Sequence, residues 1–536
     1  GDCGPPRGEE RGSAPSEAAI KPVLAALRAA VQPALLVLCA VLLCAKACRR
    51  ARAAALAAGS RSPPGPFAWP LVGNALQLGR LPHLAFSRMA RRYGDVFQLR
   101  LGRRRVVVLN GEGAIRRALV GQGTRFAGRP DFPSFGLVSG GRSVAFGQLT
   151  ARWRARRRLA HTALRVCSTA DAQGRQVVEQ HVAGEAQDLV RLFLRLSQGG
   201  AYFEPCPLFV VANANVICAL CFGRRYGHDD GEFLALLGRN DRFGQTVGAG
   251  SLVDVLPWLQ RFPNPVRSVF RDFQALNQEL HGFVRDKVAQ HRRTFKPGII
   301  RDVSDAVIAA AEHGDGPPSG LGPDDVEGAM TDIFGAGQDT TSTALSWVLL
   351  LLLKHPQLQC DLQAELDRVV GRTRLPTAED RPSLPHLEAF IYETLRYSSF
   401  VPITIPHATT ADVELDGFHI PKDTVVFINQ WSVNHDCHKW HDPQRFDPSR
   451  FLDAQQHLDR DRACSVMIFS AGQRRCIGDQ LSTLQIFLFT AILLHQCSFY
   501  ANPAEHLTMD CIHGLALKPL PFTVTVKQRH PSLTDL

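Results

Sequence analysis

The decapeptide "FSAGQRRCIG", residues 469–478, sets Cys476 between glycines and directly after Arg474 and Arg475. A thiolate is a far better nucleophile and metal ligand than a thiol, so a reactive cysteine needs surroundings that stabilise an anion. Gly472 and Gly478 are expected to reach backbone angles barred to other residues and to turn amide N–H groups towards the sulfur. The apolar-periodic run "DQLSTLQIFLFTAILL" (479–494) predicts a helix whose positive N-terminus sits beside Cys476 and, with the two arginines, lowers its pKa. Phosphatases, cysteine proteases and metal centres all use a stabilised thiolate. The thiolate alone therefore leaves the reaction open.

Other residues of chemical interest lie upstream. "AGQDTT" (336–341) falls in a long apolar segment, with Gly337 and Thr340 three apart on one helix face, where a groove could form beside a hydroxyl. Asp339 next to Thr340 is an acid–alcohol pair able to relay protons. "ETLR" supplies Glu393 and Arg396 at ion-pair spacing, and "FDPSRF" supplies Arg450 as a candidate third member. "WRARR" puts Trp153 and Arg157 on one helix face. Cys218 and Cys221 form a Cys-x-x-Cys pair with no second pair to complete a zinc site, and their apolar flanks predict a buried helix.

These residues need elements to position them. The strand pair is expected in "DVFQLRLGRRRVVVLN" (95–110), and a second turn at Asp416-Gly417 within 414–429. A helix starting near Asp324 runs through "WVLLLLLLK"; Gln338, Asp339 and several threonines inside it argue against a membrane span and for a helix buried through a globular body. The fold class is mainly α with a minor β portion (α+β). With 14 cysteines scattered over 536 residues there is no disulfide framework. The net charge of +11 admits a membrane or an acidic protein partner; with no zinc-finger, basic-heptad or RNP-like pattern, nucleic acid is not expected.

The N-terminal part has a different character. Residues 1–28 read as a tail, 29–47 as a membrane anchor helix built on the apolar run "ALLVLCAVLLCA" (34–45), and 48–66 as a basic, proline-rich linker. Lys46, Arg49, Arg50, Arg52 and Arg61 follow the run with no acid among them, so the positive-inside rule puts everything after Ala45, including the main domain 67–536, in the cytosol.

The pattern Phe-x-x-Gly-x-Arg-x-Cys-x-Gly, carried here by Phe469, Gly472, Arg474, Cys476 and Gly478, resembles the haem-binding loop of the cytochrome P-450 superfamily. "PFAWPLVGN", "SFVPITIPHATT" and "IPKDTVVFINQWSVNHD" are most similar to family 1, closest to subfamily B. The resemblance implies the cytochrome P-450 fold, with a long central helix over haem b and Cys476 as axial thiolate. It implies oxygen activation by Asp339 and Thr340, haem contact at Ala336 and Gly337, propionate contacts from Trp153, Arg157, His407 and Arg474, and a structural charged trio of Glu393, Arg396 and Arg450 behind the haem. It further implies a substrate pocket including Phe135, Phe146, Asn240, Phe243, Asp332, Gly335, Val401 and Leu515.

The implied activity is insertion of one oxygen atom from O2 into planar apolar substrates: polycyclic aromatics, oestrogens, retinoids and polyunsaturated fatty acids. The implied electron donor is NADPH–cytochrome P-450 reductase, with cytochrome b5 as a second candidate, at the endoplasmic reticulum membrane. Arg152, Arg154, Arg156 and Arg158 are a candidate docking face for the reductase. A haem-thiolate isomerase or dehydratase acting on hydroperoxides, and a non-catalytic haem or lipid binder, are the rival readings. Asp339 and Thr340 favour oxygen activation over the former.

Overall fold

A computed structural model of the chain describes residues 61–70, 72–168, 172–246, 252–312 and 320–529. The chain divides into two compact units, Gly1–Ser62 and Pro63–Leu536. The expected tail, the anchor helix and most of the linker lie outside the described residues. Among the described residues no helix is long and apolar enough to cross a membrane.

The site hangs on one helix, Pro323–Lys354. Proline in its first turn, Asp324 and Asp325 at its positive end and Lys354 at its negative end suit its direction. The Asp325 carboxylate accepts the Gly322 N–H at 2.9 Å, closing the first turn. At 1.5 Å per residue these 32 residues reach about 48 Å, and every residue from Thr341 to Leu353 is buried. This is the through-body helix that the sequence predicts. Its apolar run meets other side chains, not lipid.

The helix Cys206–Phe222 packs most closely against it. That helix is apolar on all sides and almost wholly buried. A Cβ on Gly337 would lie 2.9 Å from Ile217 Cδ1, so the missing side chain is what admits the neighbouring helix. Asn213, fully buried, donates its amide to the carbonyls of Gly337 (2.9 Å) and Gln338 (2.8 Å). Gly337 thus serves helix packing at Ile217, and the same residue also borders the cavity beside the helix. Cys218 and Cys221 lie within the same helix; burial pushes the Cys218 thiol up to about 12, leaving it an inert core residue.

The minor β portion begins with the expected hairpin, Val96–Leu101 against Arg104–Leu109. Val425–Ile428 adds parallel to the second strand, and His407–Ala408 pairs antiparallel on the far edge. The sheet edge is therefore what carries His407 to the interior. Asp416 (φ 52°) and Gly417 (φ 75°) form the left-handed two-residue turn between Val413–Leu415 and Phe418–Ile420.

Glu393 and Arg396 meet as the spacing requires, both fully buried, with Arg396 Nε and Nη2 donating to the carboxylate at 2.6 and 2.8 Å. Arg450 Nε donates to the same carboxylate at 3.2 Å, and Arg396 Nη1 to the carbonyl of Asn434 at 2.8 Å. Removing one member strands a buried charge. Glu393→Ala is expected to cost about 3–5 kcal/mol in denaturant unfolding; a loss below about 1 kcal/mol would show that the trio does not hold the fold.

Candidate active site

Local geometry bends the cysteine loop. Gly472 sits at φ 69°, and a Cβ there would lie 1.9 Å from the Leu119 carbonyl oxygen. Only glycine fits. The Phe469 carbonyl accepts the Cys476 N–H at 2.9 Å, and the helix Asp479–Gln496 starts immediately beyond Gly478. Gly478 departs from the sequence reading: its φ of −102° is open to any residue, and a Cβ would meet nothing closer than Leu164 Cδ2 at 3.9 Å.

The electrostatics of Cys476 also differ from expectation. Burial pushes the thiol pKa up, and the Gly478 N–H with Arg157 and Arg475 offsets that only in part. Asp479 opposes them and also binds Arg475 at 2.7 Å, so much of the expected positive field is spent locally. An anionic sulfur here needs a further partner, and a bound metal cation is the kind of partner that supplies the missing charge.

Cys476 is accessible only because it faces a cavity of about 350 Å³. It is the one described cysteine in that wall; Cys437 lies exposed elsewhere. The opposite wall is the central helix, with Gly335, Ala336, Asp339 and Thr340 facing in, and Phe469 contributes from the cysteine loop.

One edge of the cavity is strongly cationic. Arg474 donates to the carbonyls of Ala127 (2.9 Å), Val144 (3.2 Å) and Gly147 (2.7 Å). Arg129 donates to those of Ala145, Ile405 and Pro406, each at 2.8 Å, and Arg157 donates to that of Arg475. Among the described residues no carboxylate pairs with any of the three. Burial, then Arg129 and Arg157, press the Arg474 guanidinium down to about 7; burial and Arg157 press Arg129 down to about 9. His407 lies against them, held well below its usual range by burial and Arg129. With a 2.7 Å contact to the Phe126 carbonyl, its Nδ1 carries the proton and its Nε2 is bare. Clustered buried cations without an acid are stable only with an anion among them.

Thiol, apolar walls and an acid-free cationic edge fit a metal macrocycle bearing carboxylates. The comparisons agree. The family model for cytochrome P450 matches residues 63–526. The chain belongs to the cytochrome P-450 family. It is 56% identical over 476 residues to human cytochrome P-450 1B1, covering 87% of each chain, and 55% identical to that of Rattus norvegicus. It is 44% identical over 467 residues to cytochrome P-450 1A1 of Rattus norvegicus, covering 86% of this chain and 88% of the other. These place it in family 1, subfamily B. It is a monooxygenase with haem, held through a cysteine thiolate, as cofactor.

Several expected roles shift against the geometry. Trp153 does not reach the cavity: its indole N–H donates to the Val144 carbonyl at 2.9 Å and its ring stacks under Arg474, 3.9 Å from the guanidinium carbon. In this arrangement its N–H is turned to the Val144 carbonyl, which Arg474 shares. Thr340 lines the cavity, with its hydroxyl on the Ala336 carbonyl at 3.0 Å. The Asp339 carboxylate is held by Lys518 Nζ at 2.5 Å, so this acid is tied to a lysine of the C-terminal strand region.

Of the expected pocket residues, Phe146, Asn240, Phe243, Asp332, Gly335, Val401 and Leu515 line the cavity. Phe135 does not. It backs Phe146 edge-on, with centroids 4.9 Å apart. Of the four arginines expected as a docking face, Arg152 (2.6 Å) and Arg156 (3.6 Å) pair with buried Asp325, Arg156 being buried and Arg152 staying half-exposed, while Arg154 and Arg158 are exposed. Sequence reasoning missed Arg129 and Lys518, because a lone arginine before Pro130 and a lone lysine carry no spacing signal.

Gly472→Ala is expected to cost about 1–3 kcal/mol from the backbone alone, with a further cost from the clash with Leu119. Urea unfolding checks this. A cost near zero would show that the loop relaxes.

Proposed function

We propose that this chain is a membrane-bound monooxygenase inserting one oxygen atom into planar apolar substrates (polycyclic aromatics, oestrogens, retinoids and polyunsaturated fatty acids). In this reading NADPH–cytochrome P-450 reductase supplies electrons at the endoplasmic reticulum membrane. One observation carries the site assignment: Cys476 is the one described cysteine in a cavity that Thr340 faces and three acid-free guanidinium groups border.

Haem, when bound through a thiolate, supplies the oxygen-activating chemistry. Cys476 offers the anionic sulfur. Arg129, Arg157 and Arg474 are placed to receive carboxylates. A carboxylate near His407 would draw a proton onto its bare Nε2. The Thr340 hydroxyl, now donating to the Ala336 carbonyl, can turn to hold a proton at Oγ1 over the cavity. Asp339 lies next in sequence to exchange that proton, and Lys518 Nζ, 2.5 Å from its carboxylate, orients it.

The walls select flat molecules. Phe146 is braced edge-on by Phe135 and Phe243, so its ring is fixed against any planar system it meets. Arg154 and Arg158 remain exposed as the docking arginines for an acidic partner, a reductase or cytochrome b5. The apolar run 34–45 and the basic cluster after it support membrane attachment.

Cys476→Ala is expected to abolish the ferrous–CO absorbance band of thiolate haem, and a persisting band would discredit the ligand. Thr340→Ala is expected to keep that band but divert electrons from product to peroxide. Measured NADPH consumption against product formation decides it: unchanged coupling would refute the hydroxyl's role.

A further inference from the structure

Asp332 on the central helix lines the cavity, yet its carboxylate is already fully engaged. The Ser139 hydroxyl donates to it at 2.5 Å, the Ser143 hydroxyl at 2.8 and 3.0 Å, and the Ala145 N–H at 3.0 Å; the Val144 N–H is the fourth donor. A carboxylate has about four acceptor sites, so none is left for a substrate hydroxyl.

The loop that Asp332 grips is one that would not hold its shape alone. Ser139 (φ 53°), Gly140 (φ 61°) and Gly141 (φ 77°) are three successive residues in the left-handed region. A serine there is strained, and such a run persists only when its surroundings over-determine it.

The far side of the same loop carries the cationic edge. The Val144 carbonyl accepts from Arg474 and from Trp153, that of Ala145 from Arg129, and that of Gly147 from Arg474. The Phe146 N–H donates to the Ser143 hydroxyl at 2.9 Å, so Phe146 hangs from the same clamp. We propose that Asp332 is a positioning residue. Through the 139–147 loop it fixes Phe146 as a cavity wall and holds the carbonyls that aim Arg129 and Arg474, without itself touching substrate.

The proposal deepens the monooxygenase reading and rests on it only for the ligands used as probes. The test compares Asp332→Asn, Ser139→Ala and Ser143→Ala in the ferric holoenzyme. Amide hydrogen exchange over 139–147 is expected to quicken by about tenfold in each variant, with the helix Cys206–Phe222 unchanged. Optical titration with pyrene, which needs the Phe146 wall, is expected to weaken about fivefold or more in all three. Titration with imidazole, which needs only the iron, should stay within twofold.

Pairing Asp332→Asn with Ser139→Ala should give less than the summed effects, since both remove one clamp. If Asp332→Asn does not fold, the two serine variants decide alone. Unchanged exchange and unchanged pyrene binding in the serine variants overturn the proposal, as does weakening of pyrene and imidazole together. Absence of the ferrous–CO band of thiolate haem from the unsubstituted holoenzyme would instead remove the monooxygenase reading, independently of these results.

Discussion

The structure depends on a pocket of unbalanced charge. Arg129, Arg157 and Arg474 border one cavity and, among the described residues, donate to backbone carbonyls and to no carboxylate, while the Cys476 thiol opens onto the same cavity. Carbonyl dipoles orient guanidinium groups but do not cancel their charge, and burial makes the remainder costly. A fold that keeps such a cluster is incomplete as a polypeptide. Its deficit has a definite sign at each place: negative charge is wanted at the cationic edge, and positive charge opposite the sulfur.

The rest of the architecture holds these deficits at a fixed separation. The central helix crosses the body and presents Thr340, Asp339 and Asp332 to one side of the cavity while burying its apolar half in the core. The 139–147 loop is stretched between that helix and the cationic edge, so the two walls are mechanically linked. Gly472 lets the cysteine loop pass Leu119 at backbone contact distance, and the Glu393–Arg396–Arg450 trio locks the chain behind it. Rigid backing of this kind is what keeps a cavity open instead of collapsing around its apolar lining.

Family membership and geometry answer different questions here. A family match over residues 63–526 settles the chemistry class and the cofactor. It does not say which groups act directly and which act through others. The contacts bear on that second question: Trp153 stacks under Arg474, Phe135 packs edge-on against Phe146, and Asp332 accepts from the 139–147 loop.

By itself the sequence determined whatever depends on local spacing. It yielded the cysteine loop, the helix after it, the long central helix, the hairpins at 96–109 and 413–420, and the Glu393–Arg396 pair, because turn residues, periodicity and short ion-pair spacings are written in neighbouring positions. Tertiary structure alone decided what depends on distant partners. Arg129 joins Arg474 across 345 positions of chain (474 − 129), and Asp339 meets Lys518 across 179. Arg152 and Arg156 pair with Asp325, 173 and 169 positions further along the chain (325 − 152 and 325 − 156). The Cys476 thiol is raised, not lowered, because burial outweighs the nearby cations. Burial and long-range pairing are properties of the packed chain, and no local pattern encodes them.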